Sequence, residues 1–251
     1  MTQYSDHFGP EGLLVRGTVL VVPGRGETRA TYARFGRRLA ADAYRVRVID
    51  APDLTTEDLT SLAARLTEAA ENTTAEEGAV GPLVLVGADS GAAAIAALLA
   101  RETARQPDAV VLAGLPGRAP AATPAAGTWD EELDVRTSCP THRSTLTQDP
   151  EVRRGSLDDA IPDAVLAAAY NSDADVPALL LVGDADPLAD HEALARTAKS
   201  LARARLSVVH DAHHDVLNDL QHRTVAAEVI TFLENLRNDL RPLITVRSSA
   251  W

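Results

Sequence analysis

Three short segments of the chain carry residue types able to do covalent chemistry. The first runs Val84-Leu85-Val86-Gly87-Ala88-Asp89-Ser90-Gly91-Ala92, an apolar stretch ending in small residues with a glycine on either side of Asp89. A side chain bracketed in this way fits a sharp strand-to-helix turn, the nucleophile elbow, where larger neighbours would collide with the adjacent strand or helix. Counting from the strand end centres Asp89, as G-x-D-x-G. A turn that begins one residue later centres Ser90 instead, within Ala88-Asp89-Ser90-Gly91-Ala92. Asp89 also has the plainer reading of a helix N-cap, although a cap alone does not require the flanking glycines. The second segment, Gly183-Asp184-Ala185-Asp186-Pro187, follows an apolar run and offers two carboxylates. The third, His210-Asp211-Ala212-His213-His214-Asp215, offers three histidines. Nucleophile, acid and histidine in this chain order is the order that such an elbow requires. Asp184 competes with Asp186, and His210 and His213 compete with His214.

The elbow residue chooses the reaction. A carboxylate attacks an sp³ carbon in line, displacing halide or opening an epoxide, and becomes an ester that a histidine-activated water then hydrolyses. A serine at the same point suits acyl transfer from an ester or thioester. Both routes need N–H donors for a developing oxyanion. The backbone of Ser90, at the start of the following helix, is one. The turn Val22-Pro23-Gly24-Arg25-Gly26-Glu27 is suited to supply the other, from the backbone of Arg25. The side chains of Arg25, Arg153 and Arg154 are expected in surface or cap salt bridges.

These segments are placed by alternating apolar runs and helical patterns. Strands are expected at Thr18–Pro23, Tyr44–Ile49, Leu83–Val86, Ala109–Ala113, Ala178–Val182 and Leu206–Val209, each apolar or alternating. Helices are expected at Thr28–Asp42, Glu57–Asn72, Gly91–Arg105, His191–Ala204 and Val216–Leu236, where apolar residues recur at helical spacing. Strands separated by helices imply a mostly parallel, doubly wound sheet covered on both faces. Residues 116–175 are too long for an ordinary connection and are expected to form an inserted cap, with 1–115 and 176–251 as the core. The tail Pro242–Trp251 reads as an arm, packing on the body or on the second subunit of a homodimer, or as a frayed terminus.

Composition narrows the partners. With 24 Lys and Arg against 36 Asp and Glu, the net charge of −12 leaves no basic face for nucleic acid and is repelled by an anionic membrane. A single cysteine, Cys139, excludes an internal disulfide and a cysteine-based zinc site. Gly24-x-Gly26 lacks the third glycine and the acid of a dinucleotide site. No cofactor and no metal are expected, and the partner is a small-molecule substrate. The opening residues lack a basic start followed by an apolar stretch, so a cytoplasmic location is expected.

On these motifs the chain resembles the α/β-hydrolase superfamily over about residues 14–238. The resemblance implies an α/β-hydrolase fold with Asp89 as nucleophile, His214 as base, Asp186 as orienting acid, and Arg25 and Ser90 as oxyanion donors. The segment His214-Asp215-Val216-Leu217-Asn218-Asp219 is similar to that of lysophospholipase-like hydrolases. The elbow aspartate is similar to that of epoxide hydrolases and of haloalkane or haloacid dehalogenases. Ser90-dependent ester or thioester hydrolysis is the alternative. A non-hydrolytic elimination, cyclisation or rearrangement in natural-product metabolism is a further one, and a binding module using the old pocket is the last. Related epoxide hydrolases use two cap tyrosines, whereas residues 116–175 hold Tyr170 alone. Trp129, His142, Tyr170 and Asn171 are the candidate cap residues for substrate or leaving group. The stretch before the first clear strand leaves room for at most one of the two usual leading strands.

Overall fold

The computed structural model describes residues 3–71, 80–101, 106–118 and 127–249. Among the described residues, seven strands form one sheet: β1 (Ser5–His7), β2 (Gly17–Val22), β3 (Tyr44–Val48), β4 (Leu83–Ala88), β5 (Ala109–Ala113), β6 (Ala178–Gly183) and β7 (Ala204–Val209). Their spatial order is β1-β3-β2-β4-β5-β6-β7. Only β1 runs antiparallel, pairing Ser5 with Val48 and His7 with Val46; the other pairings are parallel. β1 is the single leading strand for which the sequence left room. Arg47 ties it down by a fork to the Asp6 carboxylate at 2.6 and 2.8 Å, and its guanidinium lies 4.4 Å from the centre of the Tyr4 ring.

The central strands read as continuous apolar runs because both faces are covered. Alternate residues go to opposite sides. Leu20, Val22, Leu83, Leu85, Val110, Leu112, Leu180 and Val182 face one core, while Val19, Val21, Val84, Val86, Val111, Leu179 and Leu181 face the other. The first core is closed by α2 (Leu59–Glu71), α3 (Ser90–Leu99), α6 (Asp163–Tyr170) and α7 (His191–Ser200). The second is closed by α1 (Ala33–Ala41) and α8 (His222–Leu236). α3 is built largely of alanines and is buried along almost its whole length, which lets it sit close under the sheet.

Several boundaries differ from the sequence pattern. A 3₁₀ turn, Arg29–Tyr32, precedes α1. The last helix starts at His222, not Val216: Asp215, Asn218 and Asp219 are buried in hydrogen-bonded turns, and their apolar neighbours Val216 and Leu217 fill the second core. Tertiary packing there outweighs helical periodicity. The expected helix ends at Asn72 and Arg105, and Trp251, lie outside the described residues. From residue 242 to 249 the tail forms no strand, and Leu243, Ile244 and Val246 are exposed.

Residues 127–175 hold three helices, α4 (Trp129–Arg136), α5 (Pro140–Gln148) and α6. α4 begins at a capping box in which Thr128 and Glu131 satisfy each other's backbone. Leu133, Leu146 and Val152 form a small apolar cluster of their own. α6 behaves differently: Val165, Leu166, Ala169 and Tyr170 join the main core under α3.

The strand order reverses at β2, whose neighbours are β3 and β4. The loops after β2 and β4 therefore meet at the switch point of the sheet, where open α/β sheets bind ligands. The close approach there depends on Gly91, where a Cβ would stand 2.4 Å from the Val22 carbonyl oxygen and 2.6 Å from that of Pro23. Both are backbone atoms and cannot swing aside. Gly91→Ala is accordingly expected to lower the unfolding free energy by about 1–3 kcal/mol, measured by urea denaturation; an unchanged midpoint would show that the two loops can separate without cost.

Candidate active site

β4 ends at Ala88 and α3 begins at Ser90, so one residue must turn the chain through the junction. That residue is Asp89, with φ 47° and ψ −118°. A non-glycine residue with positive φ is strained by about 1–3 kcal/mol and persists only where its surroundings hold it. Asp89 N–H donates to the Ala113 carbonyl at 3.0 Å, and its own carbonyl accepts from Ala93 at 3.1 Å. The side chain is thereby aimed over the carboxyl edge of the sheet. Ser90, one position on, is the first residue of α3; its hydroxyl is buried with no hydrogen-bond partner.

Four N–H groups converge on the Asp89 carboxylate. The Arg25 backbone N–H and Nε–H both donate to Oδ2 at 2.8 Å. Arg25 Nη2 donates to Oδ1 at 2.8 Å, and His214 Nε2 lies 3.2 Å from the same oxygen. His214 Nδ1 lies 2.9 Å from Asp186 Oδ2, and Asp186 Oδ1 accepts the Leu188 N–H at 2.9 Å. The other candidates are engaged elsewhere. His213 pairs with Asp219 at 2.9 Å, and His210 pairs with Asp184 at 2.8 Å on the surface.

The guanidinium of Arg25 stands at this site although the sequence pattern points elsewhere for it. It is neither on the surface nor in a peripheral salt bridge; its side chain is 12% exposed and closes over Asp89. Nη1 donates outward to the carbonyls of Leu157 and Asp159 at 2.7 and 2.8 Å. The backbone of its loop is tied as firmly: the Arg25 carbonyl accepts from Arg136 Nη2 at 2.9 Å and from the Ser156 hydroxyl at 3.1 Å, while Arg153 N–H donates to the Gly26 carbonyl at 2.9 Å. An arginine between two glycines after the first long strand was visible in the sequence, but nothing there set the direction of its side chain.

Burial and charge compete at each group, and charge wins at the centre. Burial pushes the Asp89 carboxyl up, but Arg25 and His214 outweigh it and hold it well below the usual range. Burial likewise pushes His214 down, while Asp186 and Asp89 raise it to about 10. At neutral pH the assembly joins the carboxylates of Asp89 and Asp186 to the imidazolium of His214 and the guanidinium of Arg25, so it is neutral overall. A buried cluster of this kind stands only if its charges are paired and hydrogen-bonded.

Next to it lies a second buried network. Glu27 accepts Gly24 N–H at 2.8 Å and the Tyr32 hydroxyl. His142 Nε2 is 2.8 Å from Asp215, and Arg136 bridges Glu132 at 2.9 Å and Asp215 at 3.6 Å. Burial and the neighbouring Asp215 raise Glu27 to about 7. Ligand atoms of Glu27, His142 and Asp215 all lie within 4.8 Å of one another. A cation fits poorly among them, since Arg136 already brings a positive charge to Asp215 and His142 Nε2 is committed to the same carboxylate.

Of the cap candidates, His142 belongs to this network. Trp129 stands at the start of α4, donating to Thr147 at 3.2 Å beside Arg154. Tyr170 donates to the Pro116 carbonyl at 2.9 Å. No hydrogen bond joins any of the three to Asp89, Asp186 or His214. Asp89 and His214 line a small enclosed pocket with Tyr32, Ala113 and Leu217. An apolar pocket lined by Leu66, Leu83, Ile95 and Leu98 lies at the opposite edge of the sheet, where β4 begins.

A mostly parallel sheet covered by helices, with a strained elbow after one strand and an acid and a histidine on loops after two later ones, defines an α/β-hydrolase. In sequence, the hydrolase family described as serine aminopeptidase, S33 matches residues 14–221, and the chain belongs to that family. Among solved structures, a monoacylglycerol lipase from Paleococcus ferrophilus is similar with a TM-score of 0.71 at 18% identity, over 94% of this chain and 99% of that one. A soluble variant of monoglyceride lipase from Saccharomyces cerevisiae is similar with a TM-score of 0.73 at 15% identity, over 93% and 91%. No curated protein matches the sequence. Where the elbow G-x-S-x-G centres a serine, this chain has Asp89. Among the described residues, no helix is long and apolar enough to cross a membrane.

The charges give stability a pH dependence of definite sign. The folded value of His214, about 10, lies above its ordinary 6.5, so its contribution is complete below the ordinary value and is lost as pH rises through 10. Asp89 is depressed, so its contribution is present above the ordinary carboxylate value and is lost only as pH falls through the depressed one. The melting temperature is expected to fall between about pH 7 and 10, and His214→Gln is expected to remove most of that fall. Thermal melts of the two proteins across this range measure it; parallel curves would mean that His214 is neutral in the fold.

Proposed function

We propose that this protein hydrolyses a small electrophilic organic substrate through a covalent ester on Asp89, with His214 as base and Asp186 as its orienting acid. One observation carries the reading: Asp89 occupies the strained turn with His214 Nε2 3.2 Å from Oδ1. Asp89 Oδ1 attacks an sp³ carbon, the bond from that carbon to the leaving group breaks, and the leaving group takes the electron pair. Oδ1 becomes the bridging oxygen of the ester and Oδ2 its carbonyl.

Alkylation then arms the base. The resting imidazolium of His214 is held by two carboxylates and cannot accept a proton. Ester formation removes the charge on Asp89, so His214 keeps only Asp186 as a counter-ion, and its proton departs with the leaving group. Neutral Nε2 can now take a proton from water as the water oxygen bonds to Cγ and the carbonyl pair moves to Oδ2. Collapse breaks the Cγ–Oδ1 bond, His214 returns its proton to the alcohol product, and the proton left on the new Asp89 carboxyl passes to Nε2, which restores the resting pair. The sum is substrate plus water giving alcohol plus protonated leaving group. We assign the cap to the 116–175 insertion, of which α4 and the segment following α5 close over Arg25 through Arg136 and Ser156.

The family's serine supports a second reading, ester hydrolysis by Ser90. Against it, the Ser90 hydroxyl is buried without a partner and His214 Nε2 faces Asp89. The two readings predict different covalent products. His214→Ala, incubated with styrene oxide or 1-bromobutane, is expected to gain the mass of the alkyl group on the peptide containing Asp89, and to stay unmodified with p-nitrophenyl acetate. In a single turnover in ¹⁸O water, the first alcohol released by the wild type should carry unlabelled oxygen, because that oxygen was Oδ1. An acetyl group on Ser90, or full label in the first product, would transfer the assignment to Ser90 or to direct attack by water.

A further inference from the structure

Resting on the Asp89 reading, we infer that the Arg25 side chain is a catalytic residue: its Nε–H and its own backbone N–H together form a charged oxyanion hole for Asp89 Oδ2 in the second, hydrolytic half of the reaction.

The two oxygens of Asp89 are not equivalent. Oδ1 faces His214, whereas Oδ2 accepts two N–H groups of one residue, the Arg25 backbone and Nε, both at 2.8 Å. Oδ1 is the atom that bonds to the substrate carbon, so the Nη2 contact to it must be given up when the ester forms. Oδ2 keeps both of its donors throughout. It is the atom that takes the electron pair when water adds to Cγ.

Neither donor relies on Asp89 for its position. Nη1 of the same guanidinium is held by the carbonyls of Leu157 and Asp159, and the Arg25 carbonyl is held by Arg136 and Ser156. Donors fixed before the charge appears need no reorganisation when it does. An ordinary hole offers neutral amides; this one adds a full positive charge on a largely buried side chain.

Charge accounting then separates the two halves of the reaction. In the resting protein the guanidinium faces a carboxylate. In the ester it faces a neutral carbonyl, and the tetrahedral intermediate restores an anion on Oδ2. Arg25 therefore opposes alkylation, which discharges its partner, and favours water attack, which recharges it. Only an interaction stronger in the transition state than in the state before it accelerates a step, so the gain falls on hydrolysis alone.

The test resolves the two steps. Arg25→Met retains the backbone N–H and removes the charge. Mixed with styrene oxide or 1-bromobutane and sampled by quench-flow with intact-mass detection, it is expected to form the ester at least as fast as wild type. It should then hydrolyse the ester on the order of 10²–10³ times more slowly, so that the alkylated protein accumulates. Arg25→Lys, which keeps a cation for the buried carboxylate, serves if the methionine variant does not fold, and should hydrolyse at an intermediate rate. Guanidinium ion added to Arg25→Ala should restore hydrolysis without speeding alkylation. If His214→Ala traps the ester while the Arg25 variants turn over without accumulating it, the charged hole is wrong and the Asp89 reading stands. If both steps slow together in the Arg25 variants, Arg25 holds the site's shape and the inference is wrong. If no variant forms an ester with either probe, the Asp89 reading fails and this one with it.

Discussion

A carboxylate taken out of water must find its compensation within the protein, and at Asp89 that requirement organises the whole carboxyl edge of the sheet. Only 3% of the residue is exposed, and its charge is met by Arg25 on one side and by imidazolium His214 on the other. Each partner carries its own requirement. His214 needs Asp186 behind it, and the guanidinium of Arg25 needs acceptors for the N–H groups that Asp89 does not take. Those acceptors are the carbonyls of Leu157 and Asp159, well outside the motifs that announce the site. A single buried charge thus reaches from the loop after β2 to the segment following α5.

The same logic sets the second network in place. Arg136 is 1% exposed and is compensated by Glu132 and Asp215, with Glu27 and His142 adjoining. It also donates to the Arg25 carbonyl, so the loop after β2 is held at its backbone by Arg136 and through the side chain of Arg25 itself. Buried ion pairs contribute little net stability compared with apolar packing, but losing one partner is costly because the other is left uncompensated. The two networks are better understood as fixing a geometry than as adding to the stability of the core.

The elbow was legible because steric necessity leaves a mark in sequence: Gly87 and Gly91 are glycines since backbone atoms stand within 2.6 Å of where a side chain would begin. Parallel strands were legible for a similar reason, since burial on both faces demands unbroken apolar runs. Loop geometry leaves no such mark. The pairing of His214 with Asp186 rather than Asp184 follows from where two loops cross, and family spacing, not composition, pointed to it. α4 and α5 were hidden because their apolar cluster is small, Leu133, Leu146 and Val152, and their remaining contacts are polar. α8 starts later than the apolar pattern predicts because Val216 and Leu217 pack in the second core from a turn and not from a helix. The inward course of the Arg25 side chain was hidden most completely, being set by carbonyls 132 and 134 residues away.

The clamp between Arg25 and Asp89 also bears on how one chemistry could give way to the other. Replacing the elbow aspartate with serine looks like a single step toward an ordinary serine hydrolase. Here it would leave a largely buried guanidinium without the carboxylate it clamps, hydrogen-bonded by its side chain to the carbonyls of Leu157 and Asp159 alone. The reverse change, an aspartate on a scaffold without this arginine, would leave the carboxylate with the histidine as its one cation. Either route passes through an intermediate in which one buried charge has lost its main counter-ion, so positions 25 and 89 are one unit of change, and a designer who wishes to redirect this site must move both at once.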